Sequence, residues 1–254
     1  MKVIISCLNS KYVHSSLAPW CLFSGVKNNA LKKHEVKVME CTINSNIIDF
    51  AESILGENPE VLSFSCYIWN IEKTLEVCEY VKSKNDVTIV LGGPEVSYRA
   101  KNVLENYSFI DYVLSGEGEE TYPLLLDVFS ENGDLSSVAG LSYRNNGEII
   151  SIPENEYSGT PVSPYTDEYF DKLNGKITYI ETSRGCPFSC QFCLSSIEVG
   201  VRYFNREKIK EDIRYLMDNG AKTIKFVDRT FNISRSYAME MFQFLIDERK
   251  PGVV

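Results

Sequence analysis

Residues 61–97 read VLSFSCYIWNIEKTLEVCEYVKSKNDVTIVLGGPEVS. An apolar run, Val61–Ser65, is followed by the amphipathic stretch Ile71–Lys84 and then by a second apolar run, Val87–Leu91, that ends in Gly92-Gly93-Pro94. Strand, helix and strand at this spacing make one β-α-β unit. The same alternation extends in both directions. Upstream lie the strand-like runs Lys2–Leu8 and Glu35–Cys41, with the helical stretches Ser16–Lys33 and Ser45–Gly56 after them. Downstream lie a short helical stretch near Tyr98–Asn106, the strand-like Ile110–Ser115 and a fifth helix from about Glu119 to Ser130. Five such units predict a parallel sheet covered by helices on both faces. Right-handed crossovers then make residues 1–135 a flavodoxin- or Rossmann-like, doubly wound α/β domain.

The pattern changes after Asn132. VAGLSYR, NNGE and IISI (138–152) read as a hairpin closed by an Asn-Gly turn. Pro153, Pro161 and Pro164 mark 153–176 as a linker, so residues 136–176 are expected to separate two domains. From 177 to 254 the β-α alternation resumes, with strand Ile177–Ser183, helix Arg206–Asn219, strand Lys222–Asp228 and helix Ser234–Arg249.

Bulk properties exclude several classes. The chain has 254 residues, 44% hydrophobic and 24% charged, as soluble globular proteins do. No apolar run reaches the roughly 18 residues of a membrane span. The N-terminal MKVIISCLNS lacks a secretory cleavage pattern and reads as a buried strand, so a cytoplasmic location is expected. A net charge of −9 argues against a nucleic-acid partner, which needs clustered Lys and Arg. The nearest basic cluster, Arg202, Arg206, Lys208 and Lys210, is diluted by Glu207 and Glu211 and reads as a solvated helix face.

The eight cysteines fall into two sets. Cys7, Cys21, Cys41, Cys66 and Cys78 are scattered among apolar residues, where a free thiol behaves as a small hydrophobe. Cys186, Cys190 and Cys193 lie together in ETSRGCPFSCQFCLSS (181–196), spaced C-x3-C-x2-C, directly after a strand. The C-terminal end of a strand is where a β/α barrel carries its active-site groups. Iron–sulfur clusters are usually held by four thiolates, so three in one loop leave an iron open for a substrate-like molecule. Structural zinc is the competing reading, but it takes four Cys or His ligands. The only histidines, His14 and His34, are in the first domain, and no cysteine follows Cys193.

A C-x3-C-x-aromatic-C loop after a first barrel strand resembles the radical S-adenosylmethionine (radical SAM) superfamily. The resemblance implies a 4Fe–4S cluster on Cys186, Cys190 and Cys193, with the amino and carboxylate groups of S-adenosylmethionine on the fourth iron. The reduced cluster then splits the sulfonium to give a 5′-deoxyadenosyl radical. It further implies that Phe192 lines the adenine side and that the external electron donor is of the flavodoxin or ferredoxin kind. Many members carry a Gly-Gly-Glu motif at the end of the next strand, which here reads KFVDRTFN. Asp228, Thr230 and Asn232 offer polar groups at that edge, with Asp228 a candidate for S-adenosylmethionine binding. The alternative is that Asp228 and Asn232 cap the following helix. Residues 177–254 hold two β-α units, fewer than that barrel has, so the chain is expected to be the N-terminal part of a longer protein.

The first domain lacks the G-x-G-x-x-G of dinucleotide binding: its first loop, CLNSKYVHSS, has no glycine. Glycines cluster instead after the fourth and fifth strands, at a sheet edge where open α/β sheets bind ligands. Ser63 and Ser65, then Gly92-Gly93-Pro94, then Gly116-Glu117-Gly118-Glu119 resemble the cobalamin-binding domain that precedes the radical domain in one large subgroup. The Asp-x-His-x-x-Gly of other cobalamin proteins is missing, which leaves the lower face of the cobalt unassigned. The alternative for these glycines is turn chemistry, with acidic residues favouring a helix N-terminus. Taken together, the resemblance implies a cobalamin-dependent radical SAM enzyme, with a methyltransferase acting on an unreactive carbon as the first expectation. Ring formation or rearrangement, and a non-catalytic cofactor or electron-transfer module, are the rival expectations. The small-molecule or peptide substrate is not legible.

Overall fold

The computed structural model of the chain describes residues 1–197 and 200–254. It divides into two compact units, Met1–Tyr157 and Ser158–Val254.

In the first unit, β1 (Lys2–Asn9) lies inside the sheet and is buried along almost its whole length, which is why its sequence is a continuous apolar run. β2 (Glu35–Thr42) pairs with it in parallel, Lys2 opposite Glu35 through Asn9 opposite Thr42, and carries charged residues as the edge strand. On the other side of β1 come β3 (Val61–Ser65), β4 (Thr88–Gly92) and β5 (Tyr112–Leu114), all parallel. The connecting helices are α1 (Leu17–Asn29), α2 (Ile47–Gly56), α3 (Ile71–Lys84), the short α4 (Pro94–Ser97) and α5 (Ala100–Asn106), and α6 (Gly118–Glu131). The order β2-β1-β3-β4-β5 is that of a flavodoxin-like doubly wound sheet, as expected. Helix α1 lies against α6, and α2 against α3.

The hairpin is not a spacer. Its strands β6 (Leu141–Asn145) and β7 (Glu148–Ser151) add antiparallel to β5, giving a seven-stranded sheet. Compactness therefore runs to Tyr157, and the boundary expected at 135 moves. The reason is that β5 would otherwise be an edge with unpaired backbone groups, which the hairpin satisfies. Its turn, Asn146 and Gly147, has φ of +49° and +86°, the two left-handed residues a tight hairpin needs. Arg144 of β6 fastens the addition. Its guanidinium donates to the carbonyls of Leu104 (3.1 Å), in the last turn of α5, and of Tyr107 (2.8 Å) and Ile110 (2.6 Å) in the chain that follows it.

The second unit opens with irregular chain and one short helix, α7 (Asp167–Asp171). Then β8 (Thr178–Ile180) pairs in parallel with β11 (Ile224–Phe226) across helix α8 (Arg206–Asp218). Between them β9 (Ser183–Cys186) and β10 (Gly200–Tyr203) form an antiparallel ladder with Cys186 opposite Gly200. The unit ends on helix α9 (Arg235–Asp247). The single strand expected over Ile177–Ser183 is thus two strands, broken at Glu181 and Thr182. Asn205 starts α8 by accepting from the backbone N–H groups of Glu207 and Lys208 at 3.0 and 3.1 Å. No described helix is long and apolar enough to cross a membrane.

Candidate cofactor sites

The first candidate site is the C-terminal edge of the parallel sheet. β3, β4 and β5 are neighbours, so the turns that follow them line one edge. Within it, the turn after β3 is bound to the turn after β4. The Cys66 N–H donates to the Gly92 carbonyl (2.7 Å), and the Glu95 N–H donates to the Cys66 carbonyl (3.3 Å). Gly93 has φ +97° and ψ 169°, a region open essentially to glycine alone. A Cβ there would stand 2.6 Å from the Cys66 carbonyl oxygen. Pro94 opens α4, and the Gly93 carbonyl accepts from the Ser97 hydroxyl at 2.9 Å. The glycine pair therefore first serves the close approach of two chain segments.

Gly116, φ +84°, plays a similar part: a Cβ would come within 2.5 Å of the Tyr157 hydroxyl and 2.9 Å of a Glu154 carboxylate oxygen. Glu117 immediately precedes α6, and its carbonyl accepts from the Thr121 hydroxyl at 3.2 Å. Gly118 faces the Leu22 side chain of α1. Glu119 is buried, and its carbonyl accepts from the Asn29 side chain at 3.0 Å.

Ser63 and Ser65 are both buried in β3. The Ser63 hydroxyl meets the Tyr122 hydroxyl of α6 at 2.6 Å. Burial pushes the Tyr122 phenol well above its ordinary ionisation range, so this is a contact between neutral hydroxyls. Ser63 thus has a partner inside the fold. Replacing Tyr122 by Phe should leave that hydroxyl short of a buried partner and cost about 1–2 kcal/mol in urea unfolding. An unchanged unfolding midpoint would show that Ser63 finds its partner elsewhere.

The loop after the third strand, SFSCYIWN, is expected on the ligand edge, but sequence reasoning did not single out Asn70, Tyr67 or Trp69 within it, between β3 and α3. There the Asn70 side chain donates to the carbonyls of Leu8 (3.2 Å) and Ser65 (3.1 Å) and accepts from the Tyr67 N–H at 2.8 Å. It shapes a turn that presents Tyr67 and Trp69 as a stacked pair, with centroids 4.5 Å apart and planes 5° apart. Ile68 and Trp69 are exposed at 80% and 49%. The signal was available, since Tyr-Ile-Trp is an unusually apolar tripeptide for a loop at a ligand-binding edge.

The second candidate site is the cysteine loop. Cys186 ends β9 and is buried, Cys193 is half-buried and Cys190 is exposed. The Cys193 N–H donates to the Cys190 carbonyl at 3.0 Å, and the Cys193 carbonyl accepts from the Ser196 hydroxyl at 2.7 Å. The Ser195 N–H and then its hydroxyl, with the charge of Arg229, hold the Cys193 thiol below its ordinary range. The three sulfurs are not gathered: among the described residues no three Cys, His, Asp or Glu side chains stand ready to hold a metal ion. Phe192 is 95% exposed. The donor chemistry nonetheless fits an iron–sulfur cluster. Three soft thiols occupy one loop, and both histidines of the chain belong to the other unit.

Asp228 does not cap α9. That place belongs to Ser234, whose hydroxyl accepts from the Tyr237 N–H at 3.3 Å. The Asp228 carboxylate accepts instead from the Thr182 N–H (3.1 Å), the Thr182 hydroxyl (2.8 Å) and the Ser183 hydroxyl (2.5 Å). Two residues on, the Thr230 hydroxyl lies 3.6 Å from the Cys186 sulfur.

The fold thus offers two places of different chemistry, a doubly wound sheet with glycine turns and an aromatic pair on one edge, and a strand and following loop that carry three thiols. Residues 8–126 match the B12 binding domain family. The chain is 32% identical over 191 residues to the cobalamin-dependent radical SAM methyltransferase TokK of Streptomyces tokunonensis, covering 69% of this chain and 28% of TokK. It is 29% identical over 222 residues to an uncharacterized methyltransferase of Pyrococcus horikoshii, covering 83% of this chain and 48% of that protein. The structure of OxsB, a cobalamin-dependent S-adenosylmethionine radical enzyme, superposes with a TM-score of 0.77 over 98% of this chain and 37% of OxsB, at 19% identity. Over residues 8–126 the chain carries a match to the B12 binding domain family, and over most of its length it is similar to cobalamin-dependent radical SAM methyltransferases. It spans less than half the length of these two sequence relatives.

Proposed function

We propose that this polypeptide is the cofactor-binding part of a cobalamin-dependent radical SAM methyltransferase. The observation that carries the reading is the union, in one chain, of a B12-binding-type sheet with a strand-end loop of three thiols. A reduced cluster would supply the electron that cleaves S-adenosylmethionine, and cobalamin a carrier for the methyl group, so the hard chemistry belongs to the cofactors. The protein's part is to hold and orient them. Cys186, fixed at the end of the β9 ladder, is the natural first ligand, and the exposed turn bearing Cys190 and Cys193 closes onto it. The edge formed by the turns after β3, β4 and β5 would take cobalamin, with the flat Tyr67–Trp69 pair offering an apolar surface to a planar ring. Phe192, free at the mouth of the cysteine loop, suits an adenine.

The second unit offers two parallel strands, β8 and β11, from which to grip S-adenosylmethionine. Misplacement by about 1 Å can cost on the order of 100-fold in rate. The 254-residue chain is therefore expected to bind its cofactors yet form little or no 5′-deoxyadenosine with dithionite and S-adenosylmethionine. Anaerobic reconstitution with iron, sulfide and hydroxocobalamin tests the reading. Saturable cobalamin binding together with thiolate-ligated iron supports it. Stoichiometric zinc without iron, or equal binding of NAD and cobalamin, would overturn it. In the full-length protein, methylated product separates methyl transfer from ring formation.

A further inference from the structure

We propose that the turn Asp228–Thr230 is the inner wall of the cysteine loop, in which the Thr230 hydroxyl donates a hydrogen bond to the Cys186 sulfur and Asp228 positions the strand that carries it. The inference rests on the reading of Cys186 as a cluster ligand.

The geometry begins with the break in the strand. After β8 the chain would continue straight, but at Glu181 and Thr182 it leaves the parallel pair and starts β9. The buried Asp228-facing groups are the Thr182 N–H and the hydroxyls of Thr182 and Ser183, all donating to one carboxylate. The Thr182 carbonyl in turn accepts from the Phe204 N–H at 2.9 Å, which sets the register of the β9–β10 ladder. A half-buried carboxylate that accepts three hydrogen bonds is a strong local constraint. Asp228 thus holds the chain three residues before Cys186, from a turn that is itself held by the Val227 N–H on the Ile180 carbonyl at 2.9 Å.

Thr230 acts at the other end of the same short strand. Its hydroxyl is 3.6 Å from the Cys186 sulfur, and as free groups either could donate. Ligation removes the ambiguity, because a metal-bound cysteine is a thiolate with no proton to give. Thr230 then becomes the donor. Hydrogen bonds to cluster sulfurs stabilise the more negative, reduced state and raise the reduction potential. The turn would therefore both place Cys186 and set how readily the bound cluster accepts an electron.

The test uses the reconstituted 254-residue chain, with iron content and an EPR-monitored redox titration as readouts. Thr230→Val should keep the wild-type iron content but move the potential to a more negative value, and Thr230→Ser, which keeps the hydroxyl, should restore it. Asp228→Ala should lower iron retention after gel filtration at least several-fold, while circular dichroism shows the helices of both units still formed. If the Asp228 variant fails to fold, Asp228→Asn, which retains one acceptor oxygen, should show an intermediate loss. A Thr230→Val potential equal to wild type would overturn the proposal while leaving the cluster reading intact. Failure of the wild-type chain itself to take up iron would overturn both.

Discussion

Anaerobically reconstituted chain should carry about four irons, and replacing Cys186, Cys190 or Cys193 by Ala should reduce that content to near zero and abolish the thiolate-to-iron absorption. The effect is expected to be all-or-none because the second unit holds no other thiol and no imidazole: the remaining five cysteines and both histidines belong to the first. Cys41 and Cys7 are the informative controls. Burial pushes both thiols up to about 12, so at neutral pH neither offers the thiolate that a metal needs. Cys41→Ala should leave the iron content unchanged. Loss of iron in the Cys41 variant, or its retention in any of the three loop variants, would contradict the assignment of ligands.

The second large effect concerns Gly93. An alanine there must keep φ near +97° and ψ near 169°, and its Cβ would stand 2.6 Å from the Cys66 carbonyl oxygen and 2.9 Å from the Cys66 nitrogen. Backbone strain and overpacking against main chain, which cannot swing aside, together should cost about 3–5 kcal/mol. Gly147→Ala is the control without overpacking, since Gly147 has positive φ (+86°), in the milder left-handed region, and nothing within 4 Å of a Cβ. That change should cost only about 1 kcal/mol. Urea unfolding without cobalamin measures both. If Gly93→Ala keeps wild-type stability and loses only cobalamin binding, then the glycine serves ligand approach, as the sequence reading supposed, and not the joining of two turns.

Much of this protein is legible locally. The alternation of apolar runs with amphipathic stretches names the five parallel strands in order, because burial of a strand on both faces leaves a continuous apolar signature. Asn146-Gly147 announces its own hairpin, since few other pairs accept two left-handed residues in succession. The C-x3-C-x2-C spacing sets three thiols in one loop directly after a strand. These readings depend on residues within a few positions of one another.

What the structure decided depends on partners distant in sequence. That the hairpin joins the sheet follows from the open edge of β5 and from Arg144 reaching the end of α5, neither visible in a local pattern. Ser63 could not be told from a ligand-facing serine until Tyr122 was found against it. The strand before the cysteines breaks at Thr182 because a carboxylate from Asp228, on the next parallel strand's end, captures the hydrogen-bonding groups there. By itself the amino-acid sequence determined which elements form and which atoms can ligate, through periodicity and side-chain chemistry. Only tertiary structure decided which buried polar groups are already satisfied, because a hydrogen bond between remote residues is set by how the elements meet, not by the order in which they are written.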